Sequence, residues 1–176
     1  MNKIRMIALA ACMAATLDAS AQEQEIRLFS HRGGRMEHDE NTFSAFQASY
    51  DAGYRGFETD IRMTRDGALV ITHDSSLERT TNGTGTVEEK TEAEIRRLRT
   101  KQGNKVLFLD ELLEFLEGKE GLYVEFEMKT KPEALYPEER LHAYCDKLYD
   151  AVMAVKPADA TFVFTSGDYR GLRYLQ

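Results

Sequence analysis

Glu58 and Asp60 stand two residues apart in Gly56-Phe57-Glu58-Thr59-Asp60-Ile61. Residues i and i+2 of a strand share a face, so both carboxylates project the same way. Side by side they repel, and the pair either binds a hard cation or drives one pKa upward. Taken alone, Glu-x-Asp is better explained by a solvated edge strand; here the flanking residues that face the other way are apolar. In Tyr123-Val124-Glu125-Phe126-Glu127-Met128-Lys129, alternation puts Tyr123, Glu125, Glu127 and Lys129 on one face. A third carboxylate from Glu127 would make an oxygen-rich site suited to Ca²⁺ or Mg²⁺ rather than zinc, with Lys129 as charge partner of a phosphate. By itself this segment fits a surface Glu/Lys ladder equally well.

His31-Arg32-Gly33-Gly34 follows an apolar run, and His73-Asp74 ends Leu69-Val70-Ile71-Thr72. Histidine titrates near neutrality and suits proton transfer. Arginine offers a planar fork that matches phosphate oxygens. Two histidines at strand ends near three carboxylates form a candidate acid/base pair beside a metal. His38 lies in a charged loop and His142 in a helix without matching ligands, so neither is assigned a role.

The elements that must carry these groups alternate. Strands are expected at 26–30, 56–63, 68–72, 122–128 and 161–165, and helices at 42–52, 91–99, 110–117 and 141–155. Arg65-Asp66-Gly67 reads as a tight turn, and Thr91-Glu92-Ala93-Glu94 as a capping box. Such alternation implies an α/β fold with a mostly parallel sheet. An open doubly wound sheet would gather polar residues at one switch point. Here they are spread over the ends of consecutive strands, which favours a (β/α)8 TIM barrel. A whole barrel has eight strand-helix units in about 250 residues. About five units are legible, so residues 22–176 are expected to be the N-terminal part of a truncated barrel domain.

Residues 1–21 read as a secretory signal peptide: Lys3 and Arg5, an apolar run from Met6 to Leu17, then Ala19-Ser20-Ala21 before Gln22. The run is short of the roughly 20 apolar residues a membrane span needs. An exported, periplasmic or extracellular protein is expected, with lipoprotein anchoring at Cys12 as the lesser alternative. The net charge of −7 becomes more negative by one when Lys3, Arg5 and Asp18 leave, which argues against a nucleic-acid partner. Cys145 is then the sole cysteine, so stability must come from a core, which a 42% apolar chain can build.

Taken in order, His31-Arg32-Gly33, Glu40-Asn41-Thr42, Glu58-x-Asp60, Thr64-Arg65-Asp66-Gly67, His73-Asp74, Thr80-Thr81-Asn82-Gly83 and Glu127-Met128-Lys129 resemble the glycerophosphodiester phosphodiesterases. The resemblance implies a β/α barrel that hydrolyses glycerophosphodiesters to glycerol phosphate and an alcohol. It implies Glu58, Asp60 and Glu127 as ligands of a divalent cation, Ca²⁺ or Mg²⁺. It further implies His31 and His73 as the general acid/base pair, and Arg32 and Lys129 as phosphate contacts. The chain departs from the family in carrying Asp39 where proline often precedes Glu-Asn-Thr, and in having no tryptophan. The rivals are a phospholipase-type phosphodiesterase, for which the charged 35–40 loop supplies no apolar rim, and an inactive truncated barrel that only binds phosphate ligands.

Overall fold

The computed structural model describes residues 28–176; the expected signal peptide and Cys12 lie outside them. Strand β1 (Phe29–His31) leads into helix α1 (Phe43–Asp51), whose N-cap Thr42 accepts from Ala45 N. This adds a side-chain acceptor for an amide of the first helical turn, which also donates to Thr42 O at 3.1 Å. Strand β2 (Gly56–Met63) is buried along its whole length. It is followed by β3 (Leu69–Ile71), α2 (Glu92–Arg96), α3 (Leu109–Leu116) and β4 (Tyr123–Met128). Helix α4 (Glu138–Val155), β5 (Thr161–Ser166) and α5 (Tyr169–Tyr174) complete the described chain. The expected Thr91–Glu94 capping box forms at the start of α2. Helix α4 begins a turn earlier than its apolar periodicity suggested, because Pro137 caps it and acidic Glu138 and Glu139 suit its first turn.

Strands β1, β2, β4 and β5 run parallel in the order β1-β2-β4-β5, with helices between them, as part of an α/β barrel. The third expected strand is present but does not take a place among them. β3 turns back antiparallel along β2, pairing Ile61 with Ile71 and Met63 with Leu69. The reason is the connection. A parallel crossover needs a dozen or more residues, whereas residues 64–68 only suffice for a hairpin. Gly67, at φ 88°, turns the chain, and its amide donates to Thr64 O at 3.1 Å. Four strands of the described chain are therefore barrel strands, and β3 belongs to an excursion between β2 and α3.

The outward side of the sheet packs Phe57, Ile61, Val124 and Phe126 into one core with Leu112, Leu116, Tyr144 and Leu148 of α3 and α4. A second, smaller core of Val70, Leu77, Val87, Ile95, Val106 and Phe108 holds the excursion down. Residues of the α4 region also fix β2 by its backbone. Tyr144 Oη donates to Ile61 O at 2.9 Å, Met63 N donates to Tyr136 Oη at 3.0 Å, and Arg140 donates to Met63 O and Thr64 O. Cys145 is buried as a free thiol. No helix among the described residues is long and apolar enough to cross a membrane.

Candidate active site

Register builds the site. In the parallel pairings His31 lies opposite Glu58, and Asp60 opposite Glu127. Glu58, Asp60 and Glu127 each present a carboxylate oxygen, and these oxygens lie within 4.8 Å of one another. Lys129 reaches in beside them, its Nζ 2.5 Å from Glu127 Oε1 and 3.1 Å from Asp60 Oδ1. Two buried oxygens, Glu58 Oε1 and Asp60 Oδ1, accept no well-aligned hydrogen bond. Negative charge is thus in excess. Burial, then the neighbouring Asp60 and Glu127 carboxylates, push the Glu58 carboxyl up to about 7. Three converging carboxylates with two orphaned oxygens fit a hard divalent cation.

The loop after β1 folds back over this cluster. Arg32 N donates to both Glu58 O and Glu58 Oε2 at 3.0 Å, and Asn41 N closes the loop onto Arg32 O at 2.8 Å. Arg32 and Asn41 both adopt left-handed backbone, at φ 54° and 56°, a conformation that non-glycine residues rarely take. This backbone points both side chains at one carboxylate. Asn41 Nδ2 donates to Asp60 Oδ2 at 2.9 Å, and Arg32 Nε lies 3.2 Å from the same oxygen. Arg32 Nη1 continues to Glu40 Oε1 at 3.1 Å. The guanidinium expected to meet phosphate therefore also lies in ion-pair range of Asp60, with no well-aligned hydrogen bond from its Nε.

Of the two histidines, His31 is the nearer to a carboxylate of the cluster, with Nε2 3.5 Å from Glu58 Oε2. Burial, reinforced by Arg32 and Arg35, lowers its pKa. His73 does not end a parallel barrel strand, as its sequence position suggested. The antiparallel hairpin returns it alongside β2, where Thr72 N donates to Asp60 O at 2.9 Å. Its Nδ1 lies 2.6 Å from Asp74 Oδ1, leaving Nε2 as the other nitrogen. His142 stacks on Tyr174.

Several residues around the site carried no assignment. Arg62 donates through Nε to His73 O at 2.9 Å and through Nη1 to Lys129 O at 3.1 Å, and pairs with Glu88 at 2.8 Å. One signal could have found it: Arg62 follows Glu58 and Asp60 at the same two-residue spacing, on the same strand face. Asn41 stands in the Glu40-Asn41-Thr42 motif and is of a residue type that takes left-handed backbone more readily than most, but neither feature names Asp60 as its partner.

The sequence model described as the glycerophosphoryl diester phosphodiesterase family matches residues 31–176. A glycerophosphodiester phosphodiesterase of Caldanaerobacter subterraneus is 37% identical over 123 residues, covering 65% of this chain and 50% of that protein. One from Bacillus altitudinis is 32% identical over 111 residues, covering 59% and 45%. Among solved structures, the Agrobacterium tumefaciens glycerophosphodiester phosphodiesterase superimposes with a TM-score of 0.69 at 30% identity, covering 86% of this chain and 62% of that one. An Oleispira antarctica phosphodiesterase, in complex with the product sn-glycerol-3-phosphate, gives 0.75 at 25% identity, covering 85% and 60%. The chain thus spans about half the length of these curated relatives.

Proposed function

We propose that this chain, which belongs to the glycerophosphoryl diester phosphodiesterase family, hydrolyses glycerophosphodiesters to glycerol phosphate and an alcohol with a divalent cation. The supporting observation is the convergence of Glu58, Asp60 and Glu127 within 4.8 Å, with His31 Nε2 3.5 Å from Glu58. Glu58, Asp60 and Glu127 would hold Ca²⁺ or Mg²⁺, oxygen-seeking ions in keeping with an all-carboxylate set. When bound, the ion polarises the phosphoryl oxygens and favours the attacking hydroxyl. Lys129 and Arg32 place positive charge by the phosphate, Arg32 being held by Asp60 and Glu40. His31 and His73 act as the acid/base pair: one imidazole accepts the proton of the attacking hydroxyl, and the other gives a proton to the departing alkoxide. The net negative charge of the chain does not oppose an anionic substrate, because the field at the site is set locally.

The purified chain is expected to release glycerol phosphate from glycerophosphocholine in the presence of Ca²⁺ or Mg²⁺, and a chelator is expected to abolish this. His31→Ala and His73→Ala should each remove activity while keeping the circular dichroism of the parent. Activity retained in either variant would overturn the paired role, and turnover of phosphatidylinositol instead would favour the phospholipase-type reading. Residues 1–21 act, in the same proposal, as an export signal. Protein recovered from an exporting host should then begin at Gln22, whereas retention at the membrane with Cys12 as first residue would favour lipid anchoring.

A further inference from the structure

Arg79 is half exposed and lies outside every group assigned above, yet it grips two elements at once. Its Nη1 and Nη2 donate to Glu40 Oε2 and Oε1 at 2.9 and 2.7 Å, and its Nε donates to Asp74 Oδ2. Glu40 belongs to the loop after β1 and accepts from Arg32, which lies against Asp60. Asp74 follows β3, and its other oxygen meets His73 Nδ1. Alternating charges therefore run without a break from Asp60 through Arg32, Glu40, Arg79 and Asp74 to the ring of His73. Ion pairs this exposed add little to the stability of a fold, so stability alone is a weak reason for such a geometry. Positioning is a stronger one. With both oxygens engaged, Asp74 cannot turn away from Nδ1, which fixes the ring plane and keeps the proton on Nδ1. Only a planar fork of donors can hold two carboxylates in this way.

We propose that Arg79 is a positioning residue for the hydrolysis, fixing the His73 ring relative to the carboxylate centre by holding Glu40 and Asp74 together. This rests on the function proposed above. The test uses the full chain with Arg79→Met, Arg79→Lys, Asp74→Asn and the Arg79→Met/Asp74→Asn double variant. Glycerophosphocholine turnover is measured under saturating Ca²⁺ or Mg²⁺, and the His73 ring nitrogens are followed by ¹⁵N NMR. Wild type should show His73 protonated at Nδ1. Arg79→Met and Arg79→Lys should lower kcat on the order of 10-fold to 100-fold, with KM nearly unchanged and a mixed tautomer signature at His73. The double variant should lose no more than Asp74→Asn alone. Wild-type kcat in Arg79→Met would overturn the inference, as would restoration of both kcat and ring signature by Arg79→Lys, or an unaltered ring in both variants. Arg79→Lys keeps the charge and serves if Arg79→Met does not fold. A wild type that turns over no diester would instead sink the proposed function, while the ring signature still reports whether Arg79 orients His73.

Discussion

Glu127 lies directly opposite Asp60 in the parallel pairing of β2 with β4. The third carboxylate is thus delivered by sheet register and not by a loop. A slip of one residue would turn Glu127 toward the helices and bring Met128 to face the Glu58 and Asp60 carboxylates. Phe126 and Met128 guard against this, since both are buried on the helix side of β4. Apolar burial on one side of the strand fixes where the charge falls on the other.

Removing one of three converging carboxylates lowers both ligand number and charge at the centre. Glu127→Gln should weaken Ca²⁺ or Mg²⁺ binding by about tenfold or more, which is about 1.4 kcal/mol. Its side chain is 30% exposed, so the fold should tolerate the change. Isothermal titration calorimetry checks this, and an unchanged affinity would exclude Glu127 as a ligand.

Arg62 and Glu88 form a buried pair whose breakage has structural and local consequences. Glu88 also accepts from Tyr136 Oη and Ser75 Oγ. Losing the guanidinium leaves a buried carboxylate without its countercharge and frees the carbonyls of His73 and Lys129. Arg62→Met should cost about 3–5 kcal/mol in urea denaturation. In the Arg62→Met/Glu88→Leu background the loss should be smaller, because no unpaired charge remains. Equal losses in the single and double variants would show that packing, and not charge, sets the cost.

Much of this arrangement was legible in the sequence, and the gaps have physical causes. The carboxylate faces of β2 and β4 followed from period-two alternation, and the cap of α2 from Thr91 and Glu94, because both are local rules. The direction of β3 was readable too, since the 64–68 connection is too short for a crossover. Strand-end placement of His73 outweighed that signal. The roles of Asn41, Arg62 and Arg79 depend on partners 19, 26 and 39 positions away. No local pattern encodes such pairings, and a half-exposed arginine such as Arg79 resembles any surface charge.

Gly33 is the point where the loop over the site presses on α1. Its φ is 74°, and an added Cβ would lie 3.0 Å from Ala45 Cβ and 3.1 Å from Phe46 N. Gly53 has a similar backbone, at φ 93°, with nothing near its missing side chain. Gly53→Ala should therefore cost only the left-handed conformation, about 1–2 kcal/mol, and Gly33→Ala distinctly more. Thermal denaturation of the two variants side by side isolates the steric part. Equal losses would mean that the loop yields freely, and turnover by Gly33→Ala should then be normal.

The acid limb of the stability curve carries a signature of Arg79. Its hydrogen bond, followed by that of His73, holds the Asp74 carboxyl down at about 2, and it also lowers Glu40. A carboxyl whose pKa is depressed by folding stabilises the native state above its unfolded value. As pH falls from about 4.5 the unfolded chain takes up protons first, and the advantage is gone once pH passes below about 2. Arg79→Met returns both carboxyls toward their ordinary range, so that advantage is already missing at neutral pH. Wild type and variant should accordingly differ by about 1 kcal/mol at pH 7, given the exposure of the pair. Their curves should converge between pH 4.5 and 2, the interval set by the ordinary glutamate value and the depressed Asp74. Urea denaturation at stepped pH measures the gap, and a gap that stays constant down to pH 2 would assign the effect of Arg79 to packing instead of charge.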